Sequence, residues 1–403
     1  MNLKMAWRNV WRNKTRSLII MISVAIGLFA GLFVLGLYEG MMSERVRTVI
    51  DTEVAHLQVH HPEFKKDYDP KFTIDENLLE NELKKIPEIK AFSNRVLAQG
   101  MLATTTGTSG VQIIGIDLED EKEVSRVDLK VKEGELLDPG KKNGILISKK
   151  LAGKMKLKVG SKLVLTFTDI ENTVTSGAFR VTGIYQTINT PLDERIVYVN
   201  RATLMDDLGL RESSHEIAVI LNKDEDLDLV KNGVQAQFPQ YSVLTWKENS
   251  PETELLVGTI NQYSSIIIGI IMIALAFGII NTMLMSVIER TREIGMLTAL
   301  GMNRKKIFLL ILTETLILTL VGVPIGFICS WFSILYFSKT GIDISSFSEE
   351  AMSSFGFGSM IYPEFPFATM DSVLLIVFIT ALISALFPSW KAIKLQPADA
   401  LRQ

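Results

Sequence analysis

The sequence predicts a helical membrane protein in which one span, then a large extracytoplasmic α/β domain, then three further spans follow in order. Three observations predict it. The chain holds four long apolar runs, a cationic bias restricted to the segments on one side of them, and, between the first two runs, a long polar stretch with mixed strand and helix patterning. Of its 403 residues 47% are hydrophobic, mean hydropathy is +0.25 and net charge is −3. That is high for a soluble chain, so the apolar excess must be localised.

The runs occupy residues 17–37, 264–288, 307–337 and 372–387. The first three meet the requirement of about 20 residues for crossing roughly 30 Å of hydrocarbon. The fourth is shorter and borrows Phe365, Phe367 and Trp390 as interfacial anchors. Spans are therefore expected at 17–40, 261–288, 307–337 and 371–390. The first run is longer than a signal-peptide core and no small-x-small site precedes Tyr38 and Glu39, so an uncleaved helix is expected. Cys329, the single cysteine, lies within the third run and says nothing about compartment.

Charge sets the orientation, because Lys and Arg beside a span favour the cytoplasm. Lys4, Arg8, Arg12, Lys14 and Arg16 precede the first span without an acid. Arg290, Arg292, Arg304, Lys305 and Lys306 outnumber Glu289 and Glu293 in segment 289–306, and Lys391, Lys394 and Arg402 outnumber Asp399 in tail 391–403. These segments face the cytoplasm. Residues 38–263 carry 28 basic against 36 acidic side chains, and the short segment 338–370 is also acidic. Both face outward.

The outer domain, 41–260, reads as mixed α/β. Strands are expected at 54–60, 110–116, 144–148, 162–167, 179–185, 195–199 and 215–221, and helices at 76–86, 149–155, 201–208 and 226–238. Recognisable chemistry is missing. His56 and His60 share one face of an expected strand beside His61, with no second ligand cluster, so no metal site is expected; His215 is isolated. No nucleophile elbow, zinc-protease or dinucleotide motif occurs. The acidic runs at 118–123 and 224–228 read as solvated surface.

At the inner face, residues 1–16 place Leu3, Trp7, Val10 and Trp11 on one helical stripe beside Lys4, Arg8 and Arg12. That pattern suits a helix lying among headgroups, and equally a basic flank that sets topology. Gly27 and Gly31, Gly36 and Gly40, and Gly322 and Gly326 are spaced four apart, as in close helix packing. Pro324 is expected to kink the third span. Glu314, an acid within that span, raises the suspicion of a function, yet at that depth it also reaches interfacial water or the Arg and Lys of the adjoining loop, and a structural role is expected. Segment 289–306 is expected to form a short helix from Glu289, stopped by Gly301, with Asn303 capping the next. Its apolar strip of Ile294, Leu297 and Leu300 is suited to docking.

The stretch ERTREIGMLTALGMNRKKIF resembles the signature of FtsX-like permeases, and FPSWKAIKLQPADALR is similar to that family's tail. GILISKKLAGKMKLKVGSKLVLTF resembles the MacB-like periplasmic core domain. The resemblance spans nearly the whole chain. It implies a membrane subunit of an ABC transporter in the bacterial inner membrane, working as a dimer or with a sister permease. The ATP and Mg²⁺ sit in separate ATPase subunits, since no G-x-x-x-x-G-K-[ST] occurs. The chain itself is expected to bind no cofactor and to be no enzyme.

Starting so near the first span, it resembles in layout the LolC/LolE lipoprotein-releasing permeases, as does TWKENSPETELL ahead of the second span. A departure is the short, proline-free stretch 169–177, where LolC-like chains extend a loop that recruits a carrier. The resemblance assigns ATPase contact to Glu289, Arg290, Arg292, Glu293, Ile294, Gly295, Leu297, Leu300 and Gly301. The expected activity is mechanical transmission that moves lipoproteins or another amphipathic cargo outward. The alternatives are a MacB-like exporter with a periplasmic adaptor and FtsX-like signalling to a cell-wall hydrolase. The outer domain is larger than an FtsX-type domain, which favours transport.

Overall fold

The computed structural model describes residues 2–12, 14–187, 190–211, 213–300, 302–345, 357–358 and 360–393. Two compact units emerge, one of residues 1–42, 257–343 and 360–403, the other of residues 43–256 and 344–359.

The first unit is built from helices α1 (Asn2–Arg12), α2 (Lys14–Val49), α3 (Pro251–Glu289), α4 (Thr291–Ala299), α5 (Arg304–Thr340) and α6 (Phe367–Ile393). Among the described residues four stretches are long and apolar enough to cross a membrane: Ser17–Thr52, Pro251–Glu289, Arg304–Thr340 and Thr369–Ile393. At about 1.5 Å per residue the 39 residues of α3 reach about 58 Å, well beyond the hydrocarbon thickness. Helix α5 runs on through Pro324 without interruption as a helix.

The spans share one core in which Val24 and Leu28 of α2 meet Leu275 and Ile279 of α3, Leu318 of α5 and Val377 of α6. A methyl group on Gly322 would lie 2.9 Å from the Met21 carbonyl oxygen, and one on Gly326 2.6 Å from that of Ala25. These two glycines let the third span touch the backbone of the first. Gly27 faces Leu275 across α3, whereas Gly31 has ordinary clearance, 3.8 Å to Met272. Gly36 accepts a backbone hydrogen bond from Glu364, and Gly40 abuts the Tyr362 carbonyl. Phe327 and Trp331 of α5 cluster there with Phe365 and Phe367.

The second unit holds a ten-stranded mixed sheet. Its strands are β1 (Leu57–His60), β3 (Ile89–Thr104), β4 (Gly107–Ile116), β5 (Val131–Gly134), β6 (Gly144–Ser148), β7 (Lys162–Thr168), β8 (Val174–Tyr185), β9 (Ile196–Asn200), β11 (Glu216–Leu221) and β12 (Ser242–Thr245); the short strands β2 (Ile74–Asp75) and β10 (Ser213–Ser214) pair apart from it. The order is β12-β1-β11-β3-β4-β9-β6-β8-β5, with β7 bridging β3 and β8. Only β4 with β9 and β6 with β8 run parallel. Strand β3 joins two halves: its first part pairs with β11, its second with β4 and β7.

Several expectations are corrected here. The strand expected at 54–60 begins only at Leu57, because helical backbone continues to Val54 and Ala55 turns the chain with φ 54°. The acidic run at 118–123 is not all solvated surface. It forms a helix, Leu118–Ser125, capped by Asp117, and helical spacing turns Leu118, Glu121 and Val124 inward. Glu121 is 0% exposed and accepts from Arg95 at 2.6 and 3.1 Å, while Arg95 also reaches Glu216 at 3.1 Å. The other run is closer to expectation, with Asp224 exposed and paired with His56.

The histidines find separate partners. His56 bonds Asp224 at 2.8 Å and the amide of Leu221, while His60 bonds the His61 carbonyl at 3.0 Å. His215 is not isolated. It is buried, stacked on Phe64, accepts from the Leu97 amide through Nδ1 at 2.9 Å and donates through Nε2 to the Pro70 carbonyl at 2.9 Å. Its ring is therefore neutral, and burial pushes its pKa down to about 4.

Candidate functional site: the short helix between the second and third spans

Helix α3 ends at Glu289 because Arg290 leaves helical geometry, with ψ 19°. One residue later α4 begins, so the helix is interrupted at Arg290 rather than running on. At the far end Leu300 closes α4 and Asn303 caps α5, its side chain accepting from the Lys305 amide at 3.2 Å. Gly301, the expected helix stop, lies outside the described residues.

A ladder of charges roots this helix. Arg290 donates from Nε to Glu293 at 3.0 Å and from Nη1 to both Glu314 oxygens at 3.0 and 3.2 Å. Glu293 in turn pairs with Arg12 of α1. Arg12, Glu293, Arg290 and Glu314 thus link three segments distant in sequence. The Arg12 hydrogen bond, and after it those of Arg290, hold the Glu293 carboxyl below the usual carboxylate range against partial burial. Only about 7% of the Glu314 side chain and 14% of that of Arg290 reach solvent. Removing one partner would leave a nearly buried charge uncompensated, so the inner rung is the strong one.

The expected contact residues split between two faces. Ile294 and Gly295 are buried, Ile294 in the core shared by the spans with Ile307 and Ile311. Leu297 is half-buried and lines, with Ile307 and Leu310, the small pocket above the ladder. Leu300 is 85% exposed, and Glu289 and Arg292 are exposed as well. The strip of Ile294, Leu297 and Leu300 is therefore not one docking face. Steps of three residues drift by about 60° around a helix of 3.6 residues per turn, so its two ends lie about 120° apart. The open face is Arg292, Met296 and Leu300, spaced by four. Sequence reading missed Met296, which the four-residue spacing from Arg292 marks, and took Arg12 as part of a headgroup helix or a topology-setting flank, not as a partner of Glu293.

Residues 169–173 form the tight turn of the β7–β8 hairpin, and 174–177 already belong to β8, paired with β7. Asp169 Oδ1 accepts from the amides of Glu171 and Thr173 at 2.9 and 2.8 Å, and Asn172 takes φ 61°. No extended loop emerges there.

Comparison with known proteins fits this architecture. The profile of the MacB-like periplasmic core domain matches residues 17–237, and that of the FtsX-like permease C-terminal domain matches residues 265–397. The chain is 26% identical over 230 residues to the uncharacterized ABC transporter permease MJ1507 of Methanocaldococcus jannaschii, covering 56% of this chain and 55% of that one. It is 31% identical over 188 residues to the uncharacterized ABC transporter permease YvrN of Bacillus subtilis, covering 43% and 39%. It is 24% identical over 307 residues to the lipoprotein-releasing system transmembrane protein LolC of Xylella fastidiosa, covering 72% of each. The matched stretch thus spans about half the length of MJ1507 and less of YvrN. With a core-domain match over more than half its length, helices long and apolar enough to span, and a likeness to inner-membrane permeases that gives its location, the chain belongs to the MacB-like, FtsX-like family of ABC transporter permeases.

Proposed function

We propose that this permease transmits force mechanically from separate ATPase subunits to its extracytoplasmic domain, moving lipoproteins or another amphipathic cargo outward from the membrane. ATP and Mg²⁺ belong to the ATPases, and two permease copies, or this chain and a sister permease, complete the transporter. The observation that carries the reading is α4: an exposed face of Arg292, Met296 and Leu300 on a helix whose other side is pinned by Arg290 to Glu314. A helix loose on both sides would absorb a push, while one rooted in the third span passes it on. Helix α3 is stiff along its axis and extends past the hydrocarbon at its outer end.

The test is Arg292→Glu in the reconstituted complex with its ATPase. Membrane insertion should be unchanged, while permease-stimulated ATP hydrolysis and cargo release should each fall at least about 10-fold, the loss expected of an interface charge reversal. Unaltered stimulation and release would exclude this face as the contact. A second reading is export of a peptide or drug through a periplasmic adaptor. The tight turn at 169–173 favours it, since the hairpin offers no loop for a soluble carrier. Co-purification separates the two: a lipoprotein or its carrier supports the first, an adaptor the second, and a cell-wall hydrolase would instead indicate signalling.

A further inference from the structure

The cytoplasmic ends of α5 and α6 enclose a groove of about 300 Å³ lined by Arg304, Lys305, Phe308, Leu309 and Ile393. Its lining is almost wholly apolar, the stems of Arg304 and Lys305 included, and both cationic side chains are exposed to solvent. Leu309 is 48% exposed, and Arg304, Lys305 and the neighbouring Lys306 are exposed. Among the described residues no acid pairs with these three cations and none of their side chains makes a hydrogen bond. Arg12 and Arg290 are neutralised by the glutamates of the ladder, whereas Arg8, Lys14, Arg292 and Lys391 are exposed as these three are. Helix α5 turns apolar from Ile307 onward, so the unpaired charges stand at headgroup level, with the groove running from them into hydrocarbon.

We infer that this groove binds an anionic phospholipid of the inner leaflet, its phosphate between Arg304 and Lys305 and one acyl chain along Phe308, Leu309 and Ile393. Each half of the site excludes a different competitor. A soluble anion has nothing to fill the apolar wall, and a choline lipid brings its own cation to the basic mouth. The lipid would brace the start of α5 one turn from Asn303, where the coupling element meets the third span.

The experiment titrates fluorescent phosphatidylglycerol, and separately phosphatidylcholine of the same chain length, into the purified full chain in neutral detergent. Wild type should bind the glycerol lipid about 10-fold more tightly, as expected for two cations near an anionic headgroup. Arg304→Gln with Lys305→Gln should erase the preference, and Lys305→Arg should keep it. Leu309→Trp, which fills the groove and leaves its charges, should weaken both lipids. Lys391→Gln, an exposed cation at the same end of α6 outside the groove, should change nothing, and glycerol phosphate should not displace the lipid. The inference is overturned by equal binding of both lipids to wild type, by a preference surviving the double substitution, by loss of preference in Lys391→Gln equal to that in the double variant, or by displacement with glycerol phosphate.

Discussion

His215 shows how a single side chain can tie the outer domain to pH. Its folded pKa of about 4 lies below the ordinary value of about 6.5, so the folded state holds the neutral ring and the unfolded state takes up the proton first. The stability it contributes is complete above pH 6.5 and is lost as pH falls towards 4, up to about 3 kcal/mol for a shift of that size. Melting of the purified chain at pH 7 and pH 4.5 should therefore show wild type ahead of His215→Gln at neutral pH, with the gap narrowing in acid. A constant gap would mean that the ring is not the titrating group. Little of this was legible in the sequence, where one histidine among polar residues carries no sign of its partners. Glu121 was hidden by its neighbours: a run of like charges reads as solvent-facing, and only the phase of the helix, together with a buried Arg95 far away in sequence, turns one acid inward. Glu314 was partly legible, since an acid among apolar residues calls for water or a cation of the adjoining loop, and the structure selects Arg290.

Elements were legible where local chemistry and burial agree. Strand β6 and the helix Lys149–Met155 match the expected bounds because GILIS is uniformly apolar and Ser148 caps the helix after it, accepting from the Leu151 amide. Strand β3 was not read, although it is the longest, because Ser93, Asn94, Arg95, Gln99 and Gly100 break its alternation and its stability comes from three partner strands. The spaced glycines were visible, but their unequal roles depend on contact geometry. A methyl group at 326 would press on the Ala25 carbonyl and Cα, backbone atoms that cannot swing aside, whereas one at 31 would make an ordinary contact with the flexible end of Met272. Gly326→Ala should thus lower stability in detergent by about 1–3 kcal/mol, the usual range for overpacking. Gly31→Ala should be neutral. Equal heat stability of the two variants by size-exclusion chromatography would contradict a close seam between the first and third spans.

At the scale of the whole molecule the proposed mechanism depends on α3 being one unbroken rod, and Gly258 offers a place to break it without disturbing packing. A side chain at 258 would meet nothing within 4 Å, so substitutions there act on the helix backbone alone. Alanine should stiffen the rod, since an interior glycine is about 1 kcal/mol worse for a helix. Proline removes one backbone donor and clashes with the preceding turn, which costs about 3 kcal/mol and introduces a hinge. Both variants leave α4, its open face and the charge ladder intact, so an ATPase should still bind and hydrolyse ATP. If force travels along the rod, Gly258→Pro should hydrolyse ATP at nearly the wild-type rate while cargo release falls about 10-fold or more, and Gly258→Ala should retain both. Loss of hydrolysis together with release would point instead to a damaged inner face. Release that survives the proline would mean that motion reaches the outer domain by another path, leaving the first span, whose helix Lys14–Val49 also outlasts the hydrocarbon, as the alternative carrier.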